Sequence, residues 1–478
     1  MSHARNDKND LIELIRSGSP MTRRQQLRLT VLLSIPAILA QLSNIVMEYI
    51  DAAMVGSLGA GASAAIGLTV TSTWLLWGIC SSLSTGFAVQ VAHLTGAGDN
   101  EAARSVLRQS FTAVLLFGSL LAAVALSVSS ELPAWLGGEE SIRRDATAYF
   151  RIFVLSLPVL SLLSLSGSML RCSGNILVPG MINVAMCAAD VVLNSLLIFP
   201  SRTVCVAGLE MDVWGAGLGV EGAAIGTAIA GAGGTAAMMY YLLFRSRELR
   251  LAGTHGSFRM QRRCLRQAVK IGLPIGAEHI FICGAHILTT VIVAPLGAVA
   301  LAAHSLAVTA ESLCYMPGYG IADAATTLSG QSLGAGRRDL ARRFGRITVT
   351  TGIAAMTFMG VVMYLAAPMM MSFLTPVDAI RAAGVEVLRI EAFAEPMFAA
   401  SIVAYGVFVG AGDTLVPCMM NLGSMWAVRL VLAALLAPAL GLRGVWIAMC
   451  VELCLRGAIF LVRLCGPRWI KLAPDAKK

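Results

Sequence analysis

The chain alternates long apolar runs with short polar breaks. Twelve runs of about 20 or more residues predict membrane-crossing helices near 29–55, 64–93, 104–128, 146–171, 175–200, 218–244, 266–292, 299–332, 344–367, 380–410, 414–438 and 444–465. A polar, basic break at 245–265 separates six runs in 29–244 from six in 266–465, with short segments 1–28 and 466–478 at the ends. The pattern predicts an all-α polytopic membrane protein built from two six-helix bundles.

Composition agrees. Hydrophobic residues make up 57% of the 478 positions and charged residues 13%, against about 25% charged in soluble domains. The opening stretch MSHARNDKNDLIELIRSGSPMTRRQQLR has neither the short apolar core nor the small-residue cleavage site of a secretory signal, so the first span is expected to be retained. Eleven Cys are scattered singly, with no CxxC or Cys/His ligand spacing, so neither a disulfide framework, a structural metal nor a cofactor is expected. No HExxH or nucleophile–base pattern points to an enzyme, and nothing resembles the selectivity-filter loop of a channel.

The net charge of +9 is not spread as a nucleic-acid surface. With the N-terminus placed inside, 27 Lys and Arg fall on inside segments and 7 outside, leaving only Arg429 and Arg456 within spans. That bias predicts cytoplasmic termini in a bacterial-type inner membrane, with the lipid bilayer and not nucleic acid as the partner.

The chain repeats itself at a shift of 238: Pro36 and Pro274, Leu58-Gly59 and Leu296-Gly297, Gly96-Ala-Gly98 and Gly334-Ala-Gly336, Leu177-Val-Pro179 and Leu415-Val-Pro417. Six spans per half give both halves the same topology, related by an axis along the membrane normal. That is the parallel repeat of many secondary transporters, which bind substrate between the halves.

Polar side chains then stand out inside the spans, where an acid costs about 2.5–3.5 kcal/mol on insertion scales. At 100° per residue, Gln41, Asn44, Glu48 and Asp51 form one stripe within about 80° on the first span. Asn183, Asp190 and Asn194 form a stripe within about 40° on the fifth. The seventh carries Glu278, His279, His286, Thr289 and Thr290, and the eighth aligns His304, Glu311 and Tyr315. Each group fits either a packing role or an ion path. Pro36 is a candidate bending point of the first span.

These motifs resemble the multidrug and toxic compound extrusion (MATE) family. The residues that carry the resemblance are Pro36, Asp51-Ala-Ala-Met-Val-Gly56, Gly96-Ala-Gly-Asp99, Arg171-Cys-Ser-Gly-Asn175, Gly272-Leu-Pro274, Pro295-Leu-Gly297, Ala302-Ala-His304, Gln331-Ser-Leu-Gly-Ala-Gly336, Gly410-Ala-Gly-Asp413 and Arg429. The resemblance implies a V-shaped twelve-helix antiporter exporting organic, often cationic, compounds against H+ or Na+. Apolar cavity walls would also accept amphiphiles, and one pseudo-symmetric twelve-helix unit can act as a monomer. The resemblance places the N-half coupling carboxylate at Asp51; Glu48, one turn earlier, is less usual in the family but is expected with Asp190, Asn194 and Asn183 in the same cation-coupling set, with Na+, if used, at Asp51 and Asp190. The family's Asn-x-x-x-Asp on the fifth span is here exchanged to Asp190-Val-Val-Leu-Asn194, moving the carboxylate one turn, about 5.4 Å.

The norfloxacin-export branch has a Glu where this chain has Ile282, with Glu278 one turn earlier. It also has an Asp near Phe398, upstream of which this chain has Glu391 and Glu395. That C-half site is therefore not reproduced, which favours N-half coupling and H+ over Na+. Glu278, His279, His286 and Glu311 are expected to form a second polar site, and Gln41, Asn44 and Tyr315 to line the substrate cavity. The alternative, a lipid-linked oligosaccharide flippase of the same superfamily, would want a basic cavity for a pyrophosphate, whereas the in-span charges here are mostly acidic.

Overall fold

A computed structural model describes residues 2–206 and 209–470. After α1 (Ser2–Arg16), the first half holds α2 (Arg23–Gly56), α3 (Ala60–Gly96), α4 (Asn100–Ser127), the single turn α5 (Leu132–Trp135), α6 (Glu140–Cys172), α7 (Leu177–Ile198) and α8 (Gly219–Tyr240). A hairpin of β1 (Pro200–Val206) and antiparallel β2 (Leu209–Ala216) joins α7 to α8. The second half holds α9 (Arg262–Val293), α10 (Ala298–Gly334), α11 (Arg338–Leu374), α12 (Asp378–Glu391), α13 (Glu395–Gly410), α14 (Leu415–Ser424), α15 (Leu430–Leu440) and α16 (Leu442–Cys465). A π-helical turn at Met425–Arg429 joins α14 to α15 as one span. Eleven helices of this set are long and apolar enough to cross a membrane, and twelve spans result when α12 and α13 are taken as one.

Three features depart from the sequence expectation. Residues 380–410 are not one helix: α12 and α13 meet at 61°. Pro396, in the first turn of α13, has no amide hydrogen to continue the upstream ladder and disfavours helical geometry at Glu395. The polar leader contains a helix, α1, which begins before the first span and packs on its start. The fifth span stops at Ile198, and Pro200 already belongs to β1. The first span itself starts cleanly: the Thr22 hydroxyl accepts from the Gln25 amide while the Gln25 side chain accepts from the Thr22 amide, a capping box.

The halves interlock at the face that carries the termini. His93, at the end of α3, donates from Nε2 to the Gly410 carbonyl at the end of α13, 2.8 Å away. Gln331, at the end of α10, donates from Nε2 to the Cys172 carbonyl at the end of α6, 2.9 Å away. Both donor and acceptor positions are 238 apart, so one bond is the repeat image of the other. Glycines permit this crossing: a Cβ on Gly96 would overlap the Gln331 backbone, and one on Gly334 would overlap the His93 backbone.

Candidate functional site

In the first half, α2 lies against α7, and the stripes on the two helices meet. Asn194 Nδ2 donates to Asp51 Oδ1 at 2.8 Å and to Asp190 Oδ2 at 3.1 Å. Asp190 and Asn194 are buried, at 1% and 0% exposure. Gly226 of α8 leaves space for the Asn194 side chain, where a Cβ would strike its carbonyl oxygen. Asp190 Oδ1 and Asn194 Oδ1 have no hydrogen-bond partner among the described residues. The result is a buried, oxygen-rich centre with a single amide donor shared by two carboxylates. Two anions held so close repel unless a proton or cation sits with them. The exchanged Asp190/Asn194 order thus still assembles a site, with the asparagine as the bridge.

Asn183 is not part of it. Its Nδ2 donates to Asn44 Oδ1 at 2.7 Å and to the Ala40 carbonyl at 3.2 Å, and Cys187 Sγ also reaches Asn44 Oδ1. Asn183 and Asp190 share a helix face but stand seven residues, about 10.5 Å, apart along the axis. Asn44, half-buried, is tied to α7 within the first half. Gln41 is half-buried on the same stripe, and Glu48 is exposed with no side-chain hydrogen bond among the described residues. Next to Glu48, Tyr49 donates to the Thr309 carbonyl of α10 at 2.6 Å, so this stretch of α2 borders the other half.

The second half repeats the lower layer with an acid added. Asn421, the repeat image of Asn183, donates to Glu278 Oε1 at 2.5 Å, and Tyr405 donates to Glu278 Oε2 at 2.5 Å. The expected quartet does not gather around Glu278. The His279 ring packs against Gly78 of α3 in the other half. His286, the repeat image of Glu48, is exposed, and Glu311 is buried on α10. Tyr315 stacks edge-on with Phe398 and Tyr319, and His304 accepts from Trp446 Nε1 at 3.2 Å.

Three further acids escaped the sequence reading as a site. Glu452, fully buried, accepts from Arg429 at 3.0 and 2.7 Å and from Arg456 at 2.8 and 2.7 Å. The Glu452/Arg456 spacing of four inside the last span was the available signal. Glu391 and Glu395, at the bend of the tenth span, are each 1% exposed, and none of their carboxyl oxygens has a partner among the described residues.

Comparison with known proteins follows the same two-part plan. The MatE family model matches residues 36–196 and again 274–435, once in each half. The chain is 24% identical over 444 residues to the probable multidrug resistance protein NorM of Thermotoga maritima, covering 92% of each chain. It is 29% identical over 443 residues to the NorM protein of Deinococcus radiodurans, covering 90% of this chain and 93% of that one. A solved MOP-superfamily transporter of Pyrococcus furiosus superposes with a TM-score of 0.84 at 19% identity, over 95% of this chain and 96% of that one. A family match in both halves, full-length relatives and a shared twelve-span architecture agree, and the chain belongs to the MATE (MatE) family of membrane transporters.

Proposed function

We propose that this protein is a multidrug efflux carrier that exports organic, often cationic, compounds across a cell membrane in exchange for H+, by alternating access, with both termini in the cytoplasm. The observation that carries the reading is the Asn194 bridge between Asp51 and Asp190, which leaves two buried oxygens without a donor. A proton or cation on this pair neutralises it. Its departure leaves an anionic centre that favours a cationic solute, and competition for one charge yields exchange. Na+ would need five or six oxygens, of which Asp51, Asp190 and Asn194 supply the start, so H+ is the simpler occupant. The basic bias of the inside segments supports the orientation. The lipid flippase reading is weaker, because Arg429 and Arg456 are both spent on Glu452.

The unpartnered Glu391 and Glu395 support a second reading, in which the C-half also takes up protons. The test is uptake of a fluorescent organic cation by proteoliposomes under an imposed H+ or Na+ gradient. Gradient-driven transport in the wild type and its loss in Asp51→Asn is expected. Full transport in Asp51→Asn, with loss in Glu391→Gln/Glu395→Gln, would move coupling to the second half.

A further inference from the structure

We infer that α1 is a detachable wedge that holds the cytoplasmic face shut, and that it must undock from one bundle for that face to open. The inference rests on the proposed orientation and on alternating access. Its grounds are geometric. Leu11, Ile12 and Ile15 fall within about 100° on one side of α1, and they are buried at 5%, 6% and 0% exposure, while Asp10 and Glu13 face outward. Together with Met21, those three side chains fill one cluster that draws on both bundles: Leu29, Leu33 and Ile176 from the first, Ala324, Leu328, Leu340 and Phe344 from the second.

The polar contacts divide in the same way. Arg16 donates to the Ser173 carbonyl of the first half at 3.2 Å and pairs at 3.1 Å with Glu248 of the linker, whose carbonyl is held by Arg104 of α4. Arg337 of the second half donates to the Leu14 carbonyl at 2.7 Å. Ile12 lies over Gly174, beside the Gln331–Cys172 bond, so the wedge covers one of the bonds that cross between the halves. An element that touches both bundles at one face favours the state in which they are close there, and a state in which they part loses one set of contacts. The chain connects α1 to the first bundle through residues 17–22, so the second bundle is the one it releases. A 15-residue helix has little stability of its own in water, which suits an element that docks and undocks as a unit.

Two measurements test this on the full-length protein, with Cys205, Cys283, Cys450, Cys454 and Cys465 replaced by serine. The first joins Leu14→Cys to Arg337→Cys with a disulfide-containing bifunctional thiol reagent. Transport of a fluorescent cation should fall to the protein-free level and return on reduction, while in each single-cysteine variant the reagent leaves transport at that variant's own untreated rate. Unchanged transport in fully linked protein overturns the inference. The second needs no transport: spin labels at Glu101→Cys and Asp339→Cys, exposed repeat images at the starts of α4 and α11, report the separation of the bundles. Deletion of residues 2–17, or Ile12→Glu/Ile15→Glu, should raise the long-distance population about tenfold. Distance distributions identical to the wild type in both variants overturn the inference. If no cation is transported by any version but the deletion shifts the distances, the wedge stands and the efflux reading falls.

Discussion

At the scale of single residues, the centre of the first half turns on one amide. Asn194 donates to a carboxylate on each of two helices, and a hydrogen bond to a charged group is worth about 1.5–3 kcal/mol. Asn194→Ala should therefore lower gradient-driven transport about tenfold or more, since about 1.4 kcal/mol is a factor of ten. Asn183→Ala, whose partners are the neutral Asn44 amide and Ala40 carbonyl, should cost less than Asn194→Ala, about fivefold at ~1 kcal/mol, the net value of a neutral hydrogen bond. Equal losses in the two variants would mean that the layers work as one site. Helical periodicity put Asp51 on a polar stripe of the first span and Asp190 and Asn194 on one of the fifth, and the family resemblance joined the two stripes into one site. Periodicity alone could not separate Asn183, which bonds Asn44 and Ala40, from the Asn194 layer, because an angle around the axis says nothing of height along it.

At the scale of elements, the eleventh and twelfth spans are clipped together by a buried charge triad. Glu452 is flanked by two guanidiniums, one on its own helix and one at the end of the π-helical turn Met425–Arg429. Glu452→Gln would leave two buried cations sharing a neutral amide. Removing one partner of a buried ion pair costs about 3–5 kcal/mol, so the variant should melt well below the wild type in detergent. An unchanged melting temperature would show that water or lipid reaches the triad and screens it. The Arg456 partner could be read from its spacing of four, but the Arg429 partner depends on how two helices rotate against each other. The bend at the tenth span is the converse case. Its cause, Glu395-Pro396, is written locally, yet hydropathy averages straight across it because both flanks are apolar. The α1 wedge is hidden by the same averaging, since three apolar side chains among charged ones do not register as a run.

At the scale of the whole molecule, the repeat supplies more than topology, because it duplicates the bonds that cross between the halves. His93 to Gly410 and Gln331 to Cys172 are images of each other and share no partner. Each is worth about 0.5–1.5 kcal/mol net, so His93→Ala or Gln331→Ala alone should raise the separated population at the terminal face about threefold. If the two bonds break independently their effects add in free energy, and the double variant should then shift it about tenfold, read by the same Glu101 and Asp339 label pair. A double variant no different from either single one would mean that the two bonds break together, as a single hinge event. A double variant that multiplies the single effects would mean that the halves are held by independent crossings, with the wedge as another. In that case the face parts in steps, and the order of those steps is set by which crossing is weakest.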